Sequence, residues 1–165
     1  MDKKSFLKYQ QNVRKLTLKL LHEFPADSFD YRPALEIMTV SQLFKHILQV
    51  EIYTRQGFLT GKWEVPEEPG SSMFEKEMLA DKLKIENEKT ISLLSEAPEG
   101  KFIKIVKTPF GNLSGEILLQ VGIDEEIHHR GNLYTYLRCL GKTPPQMIQN
   151  YGDILKENNN VPETL

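Results

Sequence analysis

Apolar residues recur at intervals of three and four in four separate stretches, and this recurrence restricts the fold more than any other feature. Between Ser5 and Phe24 they are Phe6, Leu7, Val13, Leu16, Leu20 and Leu21. Leu43, Phe44, Ile47, Val50 and Tyr53 form a second stripe, with Thr39 or Ser41 available as an N-cap and Gly61 beyond its end. A third helix is expected from about Met73 to Ser95, with Phe74, Met78, Leu79, Leu83, Ile91 and Leu94 on its apolar side and many Glu and Lys residues opposite. The fourth should begin near Asn112 or Ser114 and reach Leu140, because Gly141 can cap it and "KTPP" cannot extend it. Helices with one apolar stripe each must bury those stripes against one another. The expected fold class is therefore all-α, a four-helix bundle.

The segments between the stripes support that reading. "FPADSFDYRP" contains two prolines and turn-forming residues, "KWEVPEEPGSS" is loop-like, and "APEG" ends the third helix. In "KFIKIVKTPFGNLSGE" the strand formers Phe102, Ile103, Ile105 and Val106 precede the turn-like "PFGN", so a short β-hairpin is expected before the last long helix. From Pro144 onward one more short helix can precede the polar "KENNNVPETL". Two long connections leave the bundle topology open. With 165 residues the chain is read as one domain, 1–165.

Charge and cysteine content narrow the partners. Lys and Arg number 21 against 23 Asp and Glu, so no cationic excess suggests nucleic acid or an anionic membrane as partner. Neither a signal peptide nor an apolar run of about 18 residues is visible, and a soluble, cytoplasmic protein is expected. Cys139 is the only cysteine, which excludes an internal disulfide and a thiolate cluster. It is expected to be a small buried apolar group. Any metal would need nitrogen and oxygen ligands.

Helical geometry separates the histidines. At about 100° per residue, His129 projects with Gly122, Leu133, Tyr136 and Leu140 into the buried stripe, while His128 turns toward the flank. His46 projects with Leu43, Val50 and Tyr53, and His22 beside Glu23 reads as a charge at a helix C-terminus. Glu125 lies one turn before His129 on the same face. Two imidazoles and a carboxylate from two helices match a catalytic zinc set with one position left for water. Spacing alone also allows hydrogen-bonded core histidines and a surface pair between Glu125 and Arg130 or a lysine. Tyr134 and Tyr136 read as packing residues.

The stretches "SQLFKHILQVEIYTRQGFLTGKW" and "EIHHRGNLYTYLRCLGKTPP" resemble the DinB (DinB/YfiT-like) family, and the likeness extends from the first helix through Pro145. It implies a four-helix bundle, often a homodimer, with a divalent metal held by three histidines at one end of the bundle cavity. His46 matches the first of them and His129 the last, whereas Glu125 stands where the middle one would be. The implied ligands are thus His46, Glu125 and His129, with zinc or nickel as the ion and His128 as a neighbour that supports a ligand or the adjoining helix. By this resemblance the protein would be a divalent-metal-dependent enzyme acting on small molecules. Transfer of a low-molecular-weight thiol is expected ahead of hydrolysis, with Glu125 as a catalytic base if it lies off the metal. The alternative is a non-catalytic dimeric helical bundle whose degenerate metal site binds a ligand or partner. Pocket residues are expected from the bundle interior and the loops around Trp63 and Phe110.

Overall fold

The computed structural model describes residues 2–64 and 76–159. Its elements are α1 (Lys3–Glu23), α2 (Val40–Thr60), α3 (Lys76–Glu96), the short α4 (Glu99–Ile103), β1 (Ile105–Thr108), β2 (Gly111–Ser114), α5 (Gly115–Cys139) and α6 (Met147–Asn159). The four long helices α1, α2, α3 and α5 form the bundle, and β1 and β2 pair as an antiparallel hairpin in which Val106 faces Leu113. None of the described helices is long and apolar enough to cross a membrane.

Local chemistry accounts for the helix ends. Asp2 caps α1 through the Ser5 amide. Thr39 and Gln42 form a capping box at α2, and Gly61 stops that helix in the left-handed conformation (φ 71°). At the end of α5 the amides of Gly141 and Lys142 donate to the carbonyls of Arg138 and Leu137, with Gly141 at φ 72°. Such a reversal favours glycine, since a Cβ is strained there. The expected third-helix residues Met73 and Phe74, the loop residues 65–72 and the tail residues 160–165 lie outside the described residues.

Packing decides the topology that the loops left open. One apolar cluster joins Leu20, Leu21, Phe24, Phe44, Ile47, Leu79, Leu83, Leu133 and Leu137. The other, at the opposite end, joins Phe6, Leu7, Phe58, Leu94, Phe102, Leu118 and Leu119. Chain numbers therefore rise along α1 and α5 in one direction, and along α2 and α3 in the other. The order is up, down, down, up, with α1 beside α3 and α5, and α2 beside the same two helices.

Several expectations need correction. Phe102 and Ile103 belong to α4, not to the hairpin, because Pro98 starts a helical turn and Phe102 packs against Phe6 and Phe58. Met78 is exposed, since α3 turns Leu79 and Leu83 inward instead. Cys139 is also exposed: at the end of α5 the inward positions fall to Tyr136 and Leu137.

Candidate metal site

The two apolar clusters are separated by a layer of buried polar side chains. Arg14 of α1 donates from Nη2 to Glu51 Oε2 of α2 (2.8 Å) and Glu126 Oε2 of α5 (2.9 Å), and from Nη1 to the Leu83 carbonyl of α3 (3.2 Å). Thr17 Oγ1 donates to Glu126 Oε1 at 2.6 Å, and Asn87 Nδ2 to Glu51 Oε1 at 3.0 Å. Burial opposes the charge on Arg14, but the two carboxylates outweigh it and hold the guanidinium above its ordinary pKa. Sequence reasoning missed this layer, although a signal exists. Arg14, Glu51, Asn87 and Glu126 each stand seven residues from a buried apolar residue on both sides: Leu7, Arg14, Leu21; Phe44, Glu51, Phe58; Ala80, Asn87, Leu94; Leu119, Glu126, Leu133. A polar residue at a core-facing heptad position needs partners on other helices.

Beside this layer, α2 and α5 run antiparallel along a shared seam. Thr54 meets Gly122 there, so closely that a Cβ on Gly122 would lie 2.7 Å from Thr54 Oγ1. Seven residues further along α5, the His129 ring meets that of His46, with centroids 4.7 Å apart and planes nearly perpendicular. Glu125 Oε2 lies 3.3 Å from His129 Nε2. His46, Glu125 and His129 each present one ligand atom, and these atoms lie within 4.8 Å of one another. The consecutive residues Glu125 and Glu126 are thus divided between seam and core by the helical turn. Arg130, which spacing alone allowed as a partner for Glu125, instead donates to the Val13 carbonyl at 3.0 Å.

Electrostatics favours an unprotonated His129. Burial, followed by the neighbouring His46, pushes the His129 pKa below the ordinary imidazole value, and Glu125 opposes that shift only in part. The His129 Nδ1 atom is buried without a hydrogen-bond partner. The His129 ring, with Nε2 beside a carboxylate, Nδ1 unpartnered and a second imidazole against it, belongs to a donor set that fits a divalent cation of the zinc type. Tetrahedral zinc ligands lie about 3.3 Å apart, so the widest separation in the set would have to close by about 1.5 Å on binding. His128 is exposed, with its ring centroid 5.0 Å from that of His129. His22 is exposed in the last turn of α1. Trp63 and Phe110 come together near the hairpin, 6.2 Å between centroids, and Tyr53 joins them through Trp63.

Comparison with known proteins agrees with this architecture. The model of the DinB family matches residues 1–155. An uncharacterised Bacillus subtilis protein, YjoA, is 30% identical over 137 residues, covering 79% of this chain and 85% of its own. The crystal structure of that DinB-like protein superposes with a TM-score of 0.72 at 26% identity, over 86% of this chain and 96% of the other. A DinB-like protein from Bacillus cereus has the same fold, with a TM-score of 0.73 at 23% identity over 87% of this chain and 96% of the other.

Proposed function

The chain belongs to the DinB family, and on that premise we propose that it is a divalent-metal-dependent enzyme acting on small molecules, with thiol transfer ahead of hydrolysis. The observation that supports this is the convergence of His46, Glu125 and His129 within 4.8 Å, from two helices that share one seam. Zinc or nickel suits two imidazoles and a carboxylate. Held by His46, Glu125 and His129, such an ion would lower the pKa of a bound thiol or water, so that a nucleophile would be available near neutral pH.

The side chains of this protein would do the rest. His46 and His129 would each offer a ring nitrogen, and burial favours the neutral form of His129. Glu125 offsets part of the cation's charge as a ligand. Where it lies off the ion it is the base that takes the proton from the incoming nucleophile. Glu125 is close to half exposed, so a small substrate would reach the set from its side.

Metal analysis of untagged protein, before and after reconstitution with zinc or nickel, tests the site. The wild type should hold close to one equivalent, and His46→Ala and His129→Ala should each lose it. A wild type that holds neither ion after reconstitution would overturn the enzyme reading and leave a non-catalytic bundle. A panel of low-molecular-weight thiols assayed with the loaded protein tests the reaction class. Ester or amide hydrolysis without any thiol-dependent activity would put hydrolysis ahead of thiol transfer.

A further inference from the structure

We infer that Arg14, on a helix that offers the site no ligand, sets the separation of the two helices that do. This rests on the metal-site reading for its purpose, though not for its geometry. Through one Nη2 atom Arg14 binds Glu51 on α2 and Glu126 on α5, at 2.8 and 2.9 Å. Glu51 lies five residues from His46, whereas Glu126 follows Glu125 directly and precedes His129 by three. The guanidinium therefore stands behind the seam and ties its two walls together.

Helical geometry makes the tie directional. With Glu126 held toward α1 by Arg14 and Thr17, Glu125 is turned from it by about 100° and His129 by about 60° in the same sense, which places both toward α2. Glu51 is held in the same way by Arg14 and Asn87. Without the guanidinium, two carboxylates would face each other across a buried gap as like charges, and α2 and α5 would rotate or part. Arg14 is a positioning residue: it touches neither the candidate ligands nor anything they would hold. Because ligands fixed in advance need less ordering when an ion enters, the tie should appear in metal affinity.

A second buried arginine supplies the control. Arg55 of α2 is bound to Glu86 and Thr90 of α3, and it does not bridge to α5. Its loss should cost stability without opening the seam. The experiment uses metal-stripped full-length protein in wild-type, Arg14→Met, Glu126→Gln and Arg55→Met forms. Two readouts are taken: the proton NOE between the His46 and His129 rings, and Co2+ binding by visible absorption with chelator competition.

The wild type and Arg55→Met should both show the NOE and similar Co2+ spectra. Arg14→Met should lose or weaken the NOE and bind Co2+ about 10- to 100-fold more weakly, with an altered absorption band. If Arg14→Met does not fold, Glu126→Gln decides, because it keeps the size of the side chain and removes the ion pair. A folded Arg14→Met, or failing that Glu126→Gln, with wild-type NOE and Co2+ affinity overturns the inference. So does an equal loss of both in Arg55→Met. A wild type that binds no Co2+, with NOEs that still follow Arg14, defeats the metal-site reading and leaves the tie supported.

Discussion

His129 reaches the seam with its proton disfavoured, and a pH dependence follows. In the unfolded chain its imidazole titrates near 6.5, whereas in the folded chain burial and His46 lower that value. As the pH drops through 6.5 the unfolded state therefore takes up more protons than the folded one. The contribution of His129 to the stability of metal-stripped protein is full above that value and is lost progressively below it, toward the folded pKa. Urea unfolding at about pH 7.5 and about pH 5.5 should show this loss, and His129→Gln should flatten it. An unchanged slope in His129→Gln would mean that the lowered pKa lies elsewhere. The seam positions of His46, Glu125 and His129 were legible from helical spacing, because a side chain's direction on a helix depends on its own turn count. Cys139 was not, because the end of α5 lies where few neighbours remain to be packed against.

The seam between α2 and α5 depends on one small residue. Replacing a mid-helix glycine by alanine would ordinarily gain about 0.5–1 kcal/mol in helix propensity. At Gly122 the new Cβ would sit 2.7 Å from Thr54 Oγ1. That hydroxyl already donates to the Val50 and Glu51 carbonyls at 2.8 and 3.2 Å, so it has little freedom to move. Overpacking of about 1–3 kcal/mol should outweigh the propensity gain. Gly122→Ala is expected to lower the unfolding midpoint and, by spreading the seam, to weaken Co2+ binding. The capping box on α2 is a simpler case. Thr39→Ala should cost about 1 kcal/mol, measurable by denaturant unfolding, and should leave the ligand spacing as it is.

Across the whole bundle, the polar layer is the feature on which both the fold and the site depend. Glu51→Ala would remove acceptors from the buried Arg14 and Asn87 side chains. The expected loss is about 3–5 kcal/mol, as for breaking a buried ion pair. That is as large as the roughly 2–5 kcal/mol for truncating a core leucine such as Leu20. Thermal and denaturant unfolding of Glu51→Ala and Leu20→Ala compared side by side would check this, and a near-neutral Glu51→Ala would show that the layer contributes little to stability. A layer of this kind also disfavours slipped registers, since sliding one helix by a turn would set Arg14 or the carboxylates against leucine or phenylalanine.

The helices, most of their ends and their inward faces follow from residues close together in sequence: apolar spacing, Thr39 with Gln42, Gly61 and Gly141. So does the pairing of Glu125 with His129, one turn apart. Which helices adjoin, in which direction, and at what level His46 meets His129 depend on contacts between residues far apart in the chain. The connections do not encode these, because a long link permits several arrangements. The decision came from fitting two apolar clusters and one polar layer together at once, and a sequence read one helix at a time cannot align those layers.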